Sequence, residues 1–478
     1  MKPAVEAVLT SVPPSDPPPG ASPFAHRLAR RLVTPIEAFL HVQAASGLVL
    51  VVTALLAMVL ANSPWATAFH DLLETPLGIR LGSLTVEHSV HFWVNDGLMT
   101  IFFFVVGLEI RREAHEGELS TARRAALPVA AALGGMVVPA LLYIAVAGHH
   151  AADRPGWGVP MATDIAFAVG VLALLGRRVP PALRVLLLAL AIIDDIGSIV
   201  VIATFYSASL DTSGFLVAGG GIAAILLLQR FGIRRPLLYV LPGVIVWAGV
   251  LRSGVHPTIA GVIVGLLTPA RSWLGPTDLV EAARRSAQDM EHELATGEIG
   301  RVRPERLAEE VSRIDLASRE SLAPATRLQL ALHPWVAFVI MPLFAFANAG
   351  VTIDGGAATV SSVGAGIALG LVVGKPIGVI GACIAASRTG IALLPRGIGL
   401  RELSVLGLVA GIGFTMALFV AGLAFPSGQK LSQAKLAILV ASASAMALGL
   451  VVGRALLRPS PVADAATTES EAERSDDA

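Results

Sequence analysis

Between residues 40 and 455 the chain is one apolar run after another, and only a few ionisable residues interrupt the runs. A window of about 19 residues marks segments near 40 to 61, 88 to 109, 126 to 147, 159 to 175, 182 to 207 and 214 to 229. It marks six more near 237 to 251, 255 to 269, 331 to 351, 362 to 385, 402 to 424 and 431 to 455. Several are shorter than the usual span of about 20 residues. In lipid every backbone N–H and C=O must be satisfied within the chain, so such runs predict an all-α polytopic membrane protein with twelve transmembrane helices. Composition agrees: 54% of the 478 residues are hydrophobic, 15% are charged and the mean hydropathy is +0.72, values rarely compatible with a water-facing exterior.

Formal charge balances to zero, so no global basic field points to nucleic acid. The single cysteine, Cys383, excludes an intrachain disulfide and fits a small apolar packing position. Residues 1–38 carry seven prolines before Phe24 and then Arg27, Arg30 and Arg31, which predicts a disordered extension with no cleavable signal. The apolar, membrane-spanning region covers 39–455, and 456–478 is a polar, acidic tail.

Twelve crossings put both termini on one side, and the basic residues choose it. Most of the 35 Lys and Arg fall in the N-terminal tail, the even-to-odd loops and the C-terminal tail, which predicts cytoplasmic termini. The segment 270 to 330 is arginine-rich and helix-prone over Glu281 to Glu293 and Pro304 to Arg319, consistent with a solvated cytoplasmic hairpin or a flexible insert. On the opposite side, Leu77 to Val86 alternates residue types around Gly82 and Ser83, as a short β-hairpin would.

An ionisable side chain at the bilayer centre costs about 2.5 to 3.5 kcal/mol on insertion scales, so each one needs a reason. Four sit in apolar surroundings: Asp164, Asp194, Asp195 and Lys375. Asp194 and Asp195 follow the run from Leu186 to Ile193 and precede another apolar stretch reaching Phe205. A solvated turn at Gly197-Ser198 would leave two half-spans too short to cross, so both aspartates are expected mid-helix, pointing about 100° apart. Asp164 follows Pro160 and Thr163 in a segment too short for a straight helix, which suggests a broken one. Freed carbonyls and the Thr163 hydroxyl are hard oxygen donors suited to a small alkali cation. The alternative is that Thr163 and Asp164 merely start a helix.

Lys375 is the only charge between Ser361 and Ala386 and is expected to pair with an intramembrane carboxylate rather than reach an interface. Gly407, Gly411 and Gly413 mark a second segment able to unwind. The fourth and eleventh spans would then both be broken, each second in a run of three, as in an inverted-topology repeat.

The motifs Ala162-Thr163-Asp164-Ile165-Ala166-Phe167-Ala168, Ala191-Ile192-Ile193-Asp194-Asp195-Ile196-Gly197 and Phe344-Ala345-Phe346-Ala347-Asn348-Ala349-Gly350 resemble those of the bacterial NhaA-type sodium/proton antiporters. Val94-Asn95-Asp96-Gly97, Val105-Val106-Gly107-Leu108-Glu109, Ser253-Gly254-Val255-His256, Gly374-Lys375-Pro376 and Gly411-Ile412-Gly413-Phe414-Thr415 extend the likeness to roughly residues 38 to 455. That family is itself the standard example of inverted repeats with broken helices.

The resemblance implies a secondary transporter, not an enzyme, that exchanges Na+ or Li+ for H+ across the inner membrane and needs no cofactor. It implies Asp194 and Asp195 as the cation and proton site, Asp164 and Thr163 beside the helix crossing, and Lys375 as partner of Asp194. It further implies a homodimer in membrane lipid built through the outer hairpin, and a pH response carried by Glu109, Glu113, His256 and Asp96. The long insert after Thr268 departs from the compact family loop, and Pro257 follows His256, so the pH response is expected to differ. Two other readings use the same residues. An intramembrane aspartyl protease would set Asp164 against Asp194, but it expects a Gly-x-Gly-Asp pattern that is absent and leaves Lys375 without a role. A cation or proton channel would need the same ligands and a continuous pore.

Overall fold

The computed structural model describes residues 43–81, 84–207, 210–233, 235–296, 304–353 and 361–457. The expected disordered extension and nearly all of the acidic tail lie outside these residues.

The described chain is almost wholly helical. Helices α1 (Gln43–Ala61) and α2 (Ala66–Glu74) turn through 112° and lead into a hairpin of β1 (Pro76–Leu81) and β2 (Leu84–Ser89). The strands run antiparallel from the pair Pro76–Ser89 to the pair Leu81–Leu84, and the expected turn residues Gly82 and Ser83 lie outside the described residues. Helices α3 (Val90–Glu116), α4 (Ala122–Ala147), α5 (Ile165–Leu175), α6 (Pro181–Phe205), α7 (Thr212–Arg230), α8 (Leu237–Arg252) and α9 (Thr258–Leu267) follow. Next come α10 (Pro276–Thr296), α11 (Pro304–Ser321), α12 (Pro324–Ala349), α13 (Ser362–Arg388), α14 (Leu400–Ala410), α15 (Phe414–Ala424) and α16 (Gln429–Leu456). Among the described residues eight helical segments are long and apolar enough to cross a membrane, ten if each bent pair counts as one; α8 and α9 are apolar but shorter. The chain is a multi-pass membrane protein.

The outer helices expose what a soluble protein hides. Leu216 on α7 and Leu237 on α8 are 80% and 83% exposed, surface suited to contact with lipid tails. The interior packs through small residues instead. Helices α4 and α13 cross where Gly134 faces Gly378, so close that a Cβ on either would strike the other's carbonyl oxygen. Small residues at such crossings let backbones approach without any hydrophobic drive, which lipid does not supply. Replacing Gly134 with Leu should therefore splay α4 from α13 and lower the melting temperature in detergent by roughly 3 to 4 °C, an overpacking cost of about 3 kcal/mol. An unchanged melting curve would contradict the close crossing.

Two stretches of wider helical winding have an identifiable cause. The segments Val336–Ile340 and Gly370–Gly374 are π-helical, and each lies one turn ahead of a proline, Pro342 and Pro376. A proline ring clashes with the carbonyl four residues earlier, here those of Phe338 and Val372, and extra winding relieves the clash. The second stretch delivers Lys375 directly.

Helices α10 and α11 occupy the insert and pack together, with Arg313 bonded to Glu310 at 3.1 Å and reaching Asp289 at 3.5 Å. Elsewhere, three connections are tied by one carboxylate. Asp153 accepts from Lys430 at 2.6 Å and from Ser362 at 3.0 Å, while its backbone carbonyl accepts from the buried Tyr143 hydroxyl at 2.7 Å. Burial pushes the Asp153 carboxyl up, but the hydrogen bonds from Lys430 and Ser362 more than offset this and hold it below its ordinary value. A carboxyl lowered by folding contributes stability above its ordinary titration range and loses it as pH falls through the lowered value. Asp153→Asn should thus cost up to about 1 kcal/mol at neutral pH, limited by the part-exposed Lys430. The gap to wild type in thermal melts should close below about pH 4; a gap independent of pH would contradict the charge argument.

Candidate functional site

Two interruptions lie side by side in the core. Residues Arg154–Met161 form a tight 3-10 stretch, Ala162 to Asp164 run extended, and α5 begins at Ile165. Opposite, α14 ends at Ala410 and α15 starts at Phe414, with a bend of 47° across Gly411 to Gly413. Some of the backbone groups freed by each break are satisfied by the other. The Asp164 N–H donates to the Ile412 carbonyl at 2.7 Å, and the Thr163 hydroxyl donates to the Ala410 carbonyl at 2.9 Å.

Asp164 is 1% exposed, and its carboxylate caps two helices at once. One oxygen accepts the Phe167 N–H of α5 at 3.2 Å; the other accepts the Thr415 N–H of α15 at 3.1 Å and the Thr415 hydroxyl. Both helix N-termini present positive partial charge, so one carboxylate between them is favourable to both. The Phe414 N–H is taken by Ser442 of α16 at 3.0 Å. Asp164 thus starts α5, as the helix-start alternative had it.

Asp194 and Asp195 are placed differently. Helix α6 runs unbroken from Pro181 to Phe205 through Gly197 and Ser198, so neither aspartate caps anything. Asp194 is 0% and Asp195 3% exposed. One Asp194 oxygen accepts from Lys375 at 2.6 Å, and the Lys375 ammonium also donates to the Met161 carbonyl, which the break leaves without a helical partner. Lys375 is itself fully buried, in space left by Gly135: a Cβ there would lie 3.6 Å from the lysine Cδ and 2.9 Å from Val379. The second Asp194 oxygen, Oδ1, and Asp195 Oδ2 are buried with no hydrogen-bond partner among the described residues.

Orphaned carboxylate oxygens are expensive in a low-dielectric core unless a proton or cation completes them. Two carboxylates with neutral oxygens nearby suit one small hard cation. Among the described residues no group of three or more His, Cys, Asp and Glu gathers as a transition-metal site would require.

The remaining candidates fall into two places. Asp96 lies 3.5 Å from His256, joining α3 to the turn between α8 and α9, and His256 Nδ1 is 2.9 Å from the Thr258 hydroxyl. Glu109 and Glu113 flank Arg112 nearer the far end of α3, at 4.0 and 3.3 Å, about 20 Å along the helix from Asp96. Glu109 is near enough to Asp195 for their charges to interact; Asp96 and His256 form a separate pair. A cavity of about 860 Å³ is lined mainly by apolar side chains such as Trp93, Phe104, Ile225 and Trp247, and none of Asp164, Asp194 and Asp195 lines it.

Sequence reasoning did not single out Thr415, Ser442 or the Met161 carbonyl. Thr415 stood in a quoted glycine-rich motif, and a hydroxyl directly after a helix break is a signal for capping; Ser442 offers no local signal at all.

A family model described as Na+/H+ antiporter 1 matches residues 37–452. A protein of Sorangium cellulosum (strain So ce56) named Na(+)/H(+) antiporter NhaA 2 is 55% identical over 461 residues, covering 96% of this chain and 97% of that one. A protein of the same name from Myxococcus xanthus (strain DK1622) is 55% identical over 471 residues, covering 98% and 99%. The Na(+)/H(+) antiporter NhaA of Janthinobacterium sp. (strain Marseille) is 50% identical over 444 residues, covering 92% and 97%.

Proposed function

The chain belongs to the Na+/H+ antiporter 1 family, and from that premise we propose that it exchanges Na+ or Li+ for H+ across the bacterial inner membrane by alternating access. It is a transporter and not an enzyme; Na+ and H+ are its substrates. The observation that carries the mechanism is the pair of orphaned oxygens on Asp194 and Asp195, buried beside Lys375.

Sodium and protons compete for these two carboxylates. On one face of the membrane Na+ displaces protons, and after the site is exposed to the other face protons displace Na+. Loaded forms cross, empty ones do not, because two bare carboxylates in the core are the costliest arrangement of the site. If Lys375 gives up its proton as the cation arrives at Asp194, more than one proton moves per Na+, and the exchange is electrogenic. Asp164 and Thr163 hold the crossing together, Asp164 by neutralising two helix ends, Thr163 by satisfying Ala410.

Twelve spans, with α8 and α9 as two short crossings and the interrupted spans at 154–178 and 400–424 as the centres of two inverted three-helix units, fit this cycle best. Both termini are then cytoplasmic, as are α10 and α11, while Asp153, Ser362 and Lys430 lie outside. The protein works as a homodimer through the β1–β2 hairpin, and Glu109, Glu113, Asp96 and His256 set its pH response.

The test is Na+-induced collapse of a pH gradient in everted vesicles. Na+ and Li+ should dissipate the gradient and K+ should not; current carried by Na+ without proton counter-flux would replace the exchanger with a channel.

A further inference from the structure

We infer that the Ser198 hydroxyl is a third side-chain oxygen of the cation site, one that binds Na+ or Li+ but not the competing proton; this rests on the carboxylate reading above. Ser198 lies three residues after Asp195 and four after Asp194 on the unbroken α6, so the three side chains share one stretch of helix surface. Its Oγ is buried and has no hydrogen-bond partner among the described residues.

Among the described residues one other serine, Ser286 of α10, shares that lack, and it has no unpaired carboxylate beside it in the sequence. A serine or threonine inside a helix ordinarily donates to the carbonyl four residues earlier. Thr204 does so to Val200, Ser207 to Ala203, Ser404 to Leu400 and Ser444 to Val440, all at 2.7 to 2.8 Å. For Ser198 the matching carbonyl belongs to Asp194, and the bond is not made. Six buried side-chain polar atoms among the described residues lack partners, and three of them, Asp194 Oδ1, Asp195 Oδ2 and Ser198 Oγ, fall within five consecutive residues. Burying three unpaired oxygens together is costly for a structural core and useful for a cation, which accepts hard oxygens whether charged or neutral.

The chemistry separates the hydroxyl from the carboxylates. A carboxylate serves cation and proton alike, so it sets the competition. A serine hydroxyl takes up no proton in the working pH range, so it weights the competition toward the cation. Its loss should weaken Na+ binding while leaving proton binding alone.

The experiment measures the half-saturating Na+ concentration across a pH series for wild type, Ser198→Ala and Ser198→Cys, with Asp195→Asn as control. Cysteine nearly keeps the volume of serine but replaces a hard oxygen with soft sulfur. Both serine variants should raise the half-saturating Na+ concentration about three- to tenfold. The rise should be the same factor at every pH, with KM moving more than kcat. Wild-type values for both variants would overturn the assignment. So would a defect in Ser198→Ala that Ser198→Cys repairs, which marks packing, or a shift that grows toward acid pH, which marks altered proton affinity. If Asp195→Asn keeps full exchange, the carboxylate reading falls and this assignment with it; if Asp195→Asn is inactive while both serine variants match wild type, this assignment alone falls.

Discussion

Asp195→Asn should abolish exchange, lowering the rate by more than about a hundredfold at any Na+ concentration, with folding retained. The amide matches the carboxylate in shape, so packing on α6 is undisturbed. What it removes is the charge that makes the site worth occupying. In so buried a site, a unit charge facing a cation at contact distance outweighs a neutral ligand by several kcal/mol, and a hundredfold needs less than about 3 kcal/mol. The amide also cannot return a proton, so both halves of the cycle fail together. Asp194→Asn should fail similarly, with an added change: Lys375 loses its anionic partner at 2.6 Å. Gradient collapse in everted vesicles reads the activity, and gel filtration of the purified variants reads the fold. Exchange preserved in both variants would place the site elsewhere.

The second large effect is on stability. Lys375→Ala should lower the unfolding free energy by about 3 to 5 kcal/mol, roughly 3 to 6 °C in a detergent melt. The lysine is 0% exposed and bonds both Asp194 and the Met161 carbonyl, so its removal strands a buried carboxylate, orphans a carbonyl and empties the space beside Gly135. The larger part of the loss is the stranded charge, which supplies an internal check. Combining Lys375→Ala with Asp194→Asn should recover part of the stability even though transport is gone, because no charge then remains to be stranded. Additive losses in the double variant would mean that the pair is not coupled.

Hydropathy made the multi-pass helical character legible, because a lipid-facing helix must be apolar along its length; of the twelve spans expected, eight to ten meet the length and apolarity of a crossing among the described residues. Alternation around Gly82 and Ser83 likewise marked the hairpin that pairs Pro76 with Ser89. Proline and glycine marked where helices break, at Pro160 and at Gly411 to Gly413, although not what the broken ends would bond to. That information is non-local. Asp164 and Thr415 are 251 residues apart, and Thr163 and Ala410 are 247 apart, so no spacing rule connects them. Thr163 shows the consequence: its hydroxyl, considered from sequence as a free ligand, donates to Ala410 in the structure and offers only its remaining lone pairs. Asp164, Asp194 and Asp195 look alike as aspartates in apolar runs. Only partners distinguish the first, which caps two helices, from the other two, which keep orphaned oxygens. Ser198 carried no signal because a serine in a helix is ordinary until its expected backbone bond is found missing.

Competition of Na+ and H+ for Asp194 and Asp195 is tested most directly on the purified protein in weakly buffered detergent solution containing a pH indicator. Adding Na+ to the wild type near the pH at which half the site is protonated should release protons, in an amount that saturates with Na+, while choline releases none. Asp195→Asn should release far fewer. Na+ binding to wild type, seen by calorimetry at the same pH, with no proton release would contradict the account.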